Sequence, residues 1–237
     1  MDTTLILVIA TIALLVICLT IANTAGNSFL RKYHKYSEMI LNTTYTAGDL
    51  IIRLVNDSGY KKLKLAYTEK ELDDAFSSKD NTIILSKKTI NSYSIAGYAT
   101  AVHEFGHAVQ YNSGQIGYRF FKIFKIISYV FGRLAFPLML IGLLLKLIVP
   151  DNEWGYILLI GGASIFAISL LTELFTIPIE YGASNIGLAK LKEYDVLGNK
   201  EYRMAKRFLR SAGLTYVAAF LSTILAWTFL VPKQRRK

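Results

Sequence analysis

Four long apolar stretches dominate the pattern of hydrophobic and polar positions along this chain. They occupy residues 3–25, 126–149, 155–178 and 212–231. The first and fourth carry no charged side chain, whereas the second holds Arg133 and Lys146 and the third holds Glu173. A helix of about 20 apolar residues is long enough to cross a bilayer. The pattern predicts a mainly α, membrane-embedded protein with about four transmembrane helices, the first being a retained anchor.

Between the first two stretches the pattern changes to that of a small soluble subdomain. A capped helix is predicted from Thr46 to about residues 57–59. Residues 62–67 and 82–86 have the composition of β-strands, and residues 73–80 form a polar loop. We expect strand 82–86 to line a cleft and offer a free edge to an extended peptide. The alternative is a hairpin that only packs on the following helix.

Residues 92–111 have the periodicity of a helix, which Ser92 or Ser94 can cap and which residues 112–114 end. Its apolar stripe consists of Ile95, Ala99, Val102, Gly106 and Val109.

This helix carries two of the three histidines of the chain, in the order His103-Glu104-Phe105-Gly106-His107. Positions four apart lie on one helix face, so both imidazoles can reach one metal ion. Glu104 lies beside the open position of that metal, where it can take a proton from a bound water. The alternative is a packed pair of histidines without a metal.

The charges are distributed unevenly along a chain with a net charge of +10. Fourteen of the 27 Lys and Arg residues lie in 31–125 and seven in 190–210, whereas the turn at 150–153 carries only Asp151 and Glu153. Because cytoplasmic loops are enriched in Lys and Arg, both basic segments are expected in the cytoplasm. The basic residues of 233–237 depart from this rule. The stripe within 203–210 is expected to face anionic headgroups, and no aromatic stacking set accompanies it, which argues against a nucleic-acid partner.

A catalytic zinc ion usually has three protein ligands, so a third ligand is needed. His34 is flanked by cations, which favours a role near lipid headgroups instead. Glu180 follows the third apolar stretch, on a new helix whose first turn suits Pro178. Small residues share its helix face, and a carboxylate there needs a partner. Two spans separate it from His107, so both residues return to the same side of the membrane. The alternative for Glu180 is an ion pair with Lys or Arg. Glu173 is a less suitable ligand because it lies about two turns deeper in the apolar run, where it can pair with Arg133 or Lys146.

The segments AVHEFGHAVQ, TIPIEYGAS and AGLTYVAAFLSTIL together resemble the bacterial YugP-type zinc-dependent membrane peptidases and, more distantly, the HtpX-like gluzincins. The resemblance covers nearly the whole chain. It implies that zinc is held by His103, His107 and Glu180, with Glu104 as the general base. It also implies a small α+β zincin-like cytoplasmic subdomain, an endopeptidase activity and a location in the bacterial inner membrane. Gly182 departs from the family pattern, which has an acid there.

Three further side chains are candidates for supporting roles. Ser184, one turn beyond Glu180, can donate or accept a hydrogen bond with a metal ligand. Tyr181 and Tyr216 flank the expected site in the sequence and are candidate donors to the oxyanion.

These patterns divide the chain into six segments. They are an anchor (1–25), a zincin-like subdomain (26–122) with its motif helix at 92–111, a hairpin (123–178), a cytoplasmic segment with the third ligand (179–211), a last span (212–231) and a basic tail (232–237). We expect a zinc endopeptidase that cleaves membrane or membrane-proximal proteins at the cytoplasmic face. The alternatives are a non-catalytic zinc-binding scaffold and a metal-dependent hydrolase of lipids or other amides.

Overall fold

A computed structural model of the protein describes residues 3–230, and 72% of the structure is helix. The mainly α fold with a small sheet is thus confirmed. The elements in chain order are α1 (Thr3–Ser37), α2 (Ala47–Asp57), β1 (Lys64–Thr68), β2 (Ala75–Ser77), β3 (Thr82–Ser86), α3 (Lys87–Ile90), α4 (Ile95–Asn112), α5 (Ile116–Ile148), α6 (Glu153–Glu193) and α7 (Asn199–Leu230).

Helix α6 is long and apolar enough to cross a membrane. It is the one such helix among the residues whose side chains the structure also describes, which leave out much of the first half of α1 and residues 225–230, and α5 contributes a shorter apolar segment, Leu134–Ile148. Large apolar side chains such as Leu147, Ile160 and Phe175 are exposed on α5 and α6. The expectation of four transmembrane helices is therefore not confirmed.

The long helices run through boundaries that the sequence predicts. A new helix with Pro178 in its first turn is predicted, but α6 continues through Pro178 as far as Glu193. Proline lacks one helical hydrogen bond, yet its backbone angle fits a helix. The part of α6 before Pro178 packs on α5, where Gly142 meets Gly155, and the part after it packs on α4, where Gly106 meets Ala183. Likewise, α7 joins the basic segment and the fourth apolar stretch in one helix.

The small sheet has the strand order β1-β3-β2, with β1 parallel and β2 antiparallel to β3. The predicted free edge of strand 82–86 is wrong, because β3 pairs on both sides. The predicted polar loop at 73–80 is also wrong, because it contains β2. Phe76 of β2 packs on Tyr111 of α4, with ring centroids 5.6 Å apart, which gives this polar segment an apolar anchor. Within the described residues, β2 therefore supplies a free edge instead of β3.

The core forms around α4, which is buried along most of its length. Ser94 caps this helix, as predicted, and its side chain accepts a hydrogen bond from the Gly97 N–H. The predicted helix that begins after Thr46 is confirmed as α2, with a reciprocal capping box between Thr46 and Asp49. The side chains of Tyr98 and Phe105 are fully enclosed between α2, β3, α6 and α7. A rigid α4 at the centre of the core fixes the direction in which its two histidines point.

Candidate metal centre and active-site cleft

The backbones of α4 and α6 approach closely because both helices carry glycine at the crossing. A Cβ on Gly106 would lie 2.7 Å from the carbonyl carbon of Ala183, and a Cβ on Gly187 would lie 2.5 Å from the carbonyl oxygen of Val102. Real Cβ atoms do not make contacts this short, so these positions require glycine. The crossing places Glu180, one turn before Ala183, opposite the histidines of α4.

Glu180 and the two motif histidines form a compact cluster. One ligand atom from each of His103, His107 and Glu180 lies within 4.8 Å of the others. Oε2 of Glu180 is 3.2 Å from Nε2 of His103 and 3.5 Å from Nε2 of His107. This oxygen is buried, and no donor among the described residues makes a well-directed hydrogen bond to it. A buried carboxylate oxygen without a donor, facing two imidazole nitrogens, fits a bound zinc ion.

The far nitrogen of each imidazole has an oxygen partner. Nδ1 of His103 lies 3.0 Å from Oγ of Ser184, and Nδ1 of His107 lies 3.1 Å from Oε1 of Gln110. The amide nitrogen of Gln110 donates to the carbonyl of Ile179 at 2.9 Å, which fixes the amide so that Oε1 faces His107. Because Oε1 can only accept, Nδ1 of His107 carries the proton and Nε2 keeps a free lone pair for a metal.

Gln110 is a residue that the sequence analysis missed. Its local signal is its position three residues after His107, on the same helix face. Its second role, the hydrogen bond to Ile179 of α6, depends on the helix crossing and leaves no trace in the sequence pattern.

The electrostatics of the cluster follow from burial. Glu104 is 8% exposed, and burial raises the pKa of its carboxyl above the ordinary value. Burial opposes protonation of His107, but the neighbouring Glu180 carboxylate outweighs burial and raises the pKa of this imidazole. A carboxyl group with a raised pKa beside a candidate metal site is suited to hold a proton that it has accepted and to release it later.

Two cavities flank the cluster and together form a cleft. The first, of about 230 Å³, extends towards α1 and α7, and the second, of about 170 Å³, extends towards α5 and β2. His103, Glu104, Glu180 and Tyr216 line both cavities. Ala75 and Phe76 of β2 line the second. The cleft therefore extends to both sides of the cluster, and β2 lines one of its two parts.

The other sequence candidates lie apart from the cluster. The ring of Tyr181 packs against Gly213 of α7, and Tyr181 is not among the residues that line the two cavities. His34 lies on the exposed end of α1, with its ring near Tyr33. Glu173 is not part of the three-residue cluster, and Lys146 contacts the Pro150 carbonyl and the Tyr156 ring instead of this carboxylate. The structure thus brings together His103, Glu104, His107, Glu180, Ser184 and Tyr216.

Comparison with known families agrees with this geometry. The family described as "Putative neutral zinc metallopeptidase" matches residues 10–232. The chain belongs to this family. Over 195 residues the chain is 28% identical to "Putative membrane protease YugP" of Bacillus subtilis (strain 168), which covers 81% of this chain and 82% of that protein. No solved structure matches the chain. The predicted resemblance is confirmed, and the family implies zinc, which the donor set of the cluster fits.

Proposed function

We propose that this protein is a membrane-bound, gluzincin-like zinc endopeptidase that cleaves membrane or membrane-proximal proteins at the cytoplasmic face of a bacterial inner membrane. The observation that carries the proposal is the cluster of His103, His107 and Glu180, with the buried Glu104 lining the same cleft. His103, His107 and Glu180 hold the zinc ion, and the oxygens of Ser184 and Gln110 orient the two imidazoles.

Glu104 acts as the general base and then as the general acid. A zinc ion bound at the cluster supplies Lewis acidity to a water molecule and to the scissile carbonyl. The Glu104 carboxylate takes a proton from the attacking water as its oxygen bonds to the carbonyl carbon. Glu104 then gives this proton to the amide nitrogen as the C–N bond breaks. The products are a carboxyl terminus and an amine.

Tyr216 is the candidate donor to the oxyanion. Tyr216 lines both cavities beside Glu180, and the residue is 37% exposed. A phenol donates one hydrogen bond, which is what a developing oxyanion requires. Tyr181, the other candidate in the sequence, packs on Gly213 and is not used in this proposal.

A peptide substrate is favoured over a lipid by the position of β2. Ala75 and Phe76 line the second cavity, and the outer edge of β2 pairs with no other strand among residues 3–230. A free strand edge can bind an extended peptide through main-chain hydrogen bonds. Such binding tolerates many sequences, and it presents a backbone carbonyl rather than an ester or a headgroup to the cluster.

The membrane position is supported by a basic belt, defined as Arg31 and Lys35 on α1 with Arg203, Arg207 and Arg210 on α7. All five side chains are exposed, and none pairs with a carboxylate within the part of the chain that the structure describes. Phe29 and Phe208 stack between the two helices at 5.6 Å, so the belt is formed jointly by α1 and α7. Unpaired cations beside uncharged helix segments suit anionic lipid headgroups.

The same aromatic residues, Phe29 and Phe208, line the first cavity. The cleft therefore lies close to the level of the belt, at the cytoplasmic headgroup layer. In this proposal the successive segments of the chain act as an anchor, a catalytic subdomain, a hairpin, the segment with the third ligand and a last span. Helix α6 has the length and composition for a crossing.

The deciding experiment compares wild type, Glu104→Gln and Glu193→Gln as purified, detergent-solubilised, zinc-loaded proteins. Glu193 is the control because it is an exposed carboxylate on α6, paired only with Lys190 among the described residues. We expect one zinc ion per chain in all three proteins. Glu104→Gln should cleave casein about 10²–10⁴-fold more slowly than the other two, because it lacks the base.

Equal cleavage by all three proteins would contradict the role of Glu104. Zinc should be lost from His107→Ala and Glu180→Ala, and zinc retained in both would reject the ligand set. Zinc binding without cleavage of casein by any of the proteins would leave two readings, a narrow substrate choice and a zinc-binding scaffold. Release of fatty acid or of a small amine in place of peptide fragments would indicate the alternative hydrolase.

A further inference from the structure

The lining of the first cavity has a polar group and an apolar group of side chains. The polar end is formed by His103, Glu104 and Glu180, the groups of the candidate metal centre. The apolar part, here called the side pocket, is formed by α1, α7 and the loop between β1 and β2. Its walls are Phe29, Tyr33, Leu72, Phe208, Leu209 and Ala212.

The walls of the side pocket are held in place by packing outside it. Phe208 and Leu209 are 2% and 3% exposed, so their side chains belong to the core. Phe208 contacts Phe29 at 5.6 Å and Tyr33 at 6.4 Å between ring centroids. Because Phe208 and Leu209 are packed in the core, they cannot collapse into the neighbouring space, so this wall of the side pocket is preformed.

Leu72 forms the rim of the side pocket with an unusual backbone. Its φ is 59°, in the left-handed region that leucine rarely adopts, and its side chain is 54% exposed. Such a conformation is strained for a residue with a Cβ. Strained positions cluster at ligand-binding sites, so the exposed Leu72 side chain at the cavity is suited to contact a ligand.

The first cavity is large enough for an apolar side chain. Its volume of about 230 Å³, which includes the end at the metal centre, exceeds the roughly 150 Å³ of an apolar cavity that accommodates benzene. One leucine or phenylalanine side chain therefore fits.

We propose that the side pocket binds a bulky apolar side chain, leucine or aromatic, of the substrate residue adjacent to the scissile bond. This inference rests on the proposed function, because it identifies the class of peptide that the cleft selects. The backbone of the substrate lies at the polar end, within reach of Glu104, while the apolar side chain of the substrate fills the side pocket.

The test measures binding rather than turnover. The probes are the N-acetyl hydroxamates of glycine, leucine and phenylalanine, titrated into the zinc-loaded, full-length wild-type protein. Each hydroxamate offers the same metal-binding group, so differences in Kd report the side chain alone. We expect the phenylalanine and leucine probes to bind about 10- to 100-fold more tightly than the glycine probe, because an apolar side chain becomes buried.

Two variants locate this preference. Ala212→Leu fills the side pocket and should reduce the preference to less than about threefold, because the added side chain occupies the space. Ala189→Leu is the matched control, since Ala189 is exposed on α6 and does not line the cavity. Should Ala212→Leu fail to fold, Leu209→Ala enlarges the pocket and should favour a tryptophan hydroxamate over the phenylalanine probe.

Equal Kd values for the glycine and phenylalanine probes would overturn the inference. So would a preference that Ala212→Leu and Leu209→Ala both leave unchanged. Failure of the proposed function can be told apart from failure of this inference. A protein that binds these probes selectively but cleaves no peptide would keep the side-pocket assignment and lose the peptidase assignment.

Discussion

Gly106 of α4 packs directly against the backbone of Ala183 in α6, and the space for a Cβ at Gly106 is filled by the Ala183 carbonyl group. Gly106 stands between the two histidines of the motif and precedes His107 directly. The contact therefore sets how far Glu180 lies from His103 and His107.

Gly106→Ala should separate the two helices and weaken the metal site. Overpacking of this kind costs about 1–3 kcal/mol in the free energy of unfolding. We expect a lower Tm and substoichiometric zinc, measured by thermal unfolding and by metal analysis of the purified protein. The control is Gly161→Ala in α6, where a Cβ meets nothing within 4 Å. Full zinc occupancy in Gly106→Ala would show that the helix crossing does not set the site.

Gln110→Ala should weaken zinc binding without removing a ligand. The side chain holds the proton on Nδ1 of His107 and ties α4 to the Ile179 carbonyl. Loss of a group that orients a metal ligand typically reduces metal affinity by about 10–100-fold. The measurement is the zinc Kd from competition with a chelator of known affinity.

Gln115→Ala is the control for this substitution. Gln115 is exposed at the start of α5 and makes no side-chain capping bond. A zinc Kd for Gln110→Ala within about threefold of the control would contradict the orienting role of Gln110.

The pH dependence of zinc binding should follow His107. In the metal-free protein the pKa of His107 is raised by Glu180, so its ring stays protonated to a higher pH than an ordinary histidine. Zinc must displace this proton, so its affinity should fall as the pH drops below that pKa, by up to about tenfold per pH unit. Above that pKa the affinity should no longer rise on account of His107.

Ring carbon–proton spectra of the metal-free protein measure this titration directly, since the chain has only three histidines. Glu180→Gln should lower the midpoint of His107, because the neutral amide no longer favours the imidazolium. Glu193→Gln, on the distant end of α6, should leave that midpoint unchanged. An identical midpoint in wild type and Glu180→Gln would contradict the electrostatic coupling.

Tyr216→Phe removes the proposed oxyanion donor while keeping the ring that lines the cleft. Loss of one such donor typically lowers kcat by about 10²–10³-fold, with a small effect on KM. The same substitution at Tyr93, which is exposed and does not line either cavity, controls for the loss of a hydroxyl. The measurement is the initial rate of peptide release, and a change within twofold would remove Tyr216 from the mechanism.

Local patterns in the sequence determined the elements that carry the chemistry. The helix with His103 and His107 follows from its 3.6-residue periodicity and the cap at Ser94, and α2 follows from the capping box at Thr46. These signals involve residues within four positions of one another, which is why they are visible without a structure. Sequence similarity over most of the chain also determined the family, and the family implies zinc.

The tertiary structure decided which distant residues meet. β2 forms at a segment of polar composition because Phe76 packs on Tyr111 and because β3 offers a second edge. Gln110 gains its partner on α6, and Phe29 becomes a wall of the cleft, only through helix packing. A one-dimensional pattern records which face of a helix is apolar, but not which surface covers that face. The side pocket and the alignment of the imidazoles are therefore properties of the packing of α1, α4, α6 and α7.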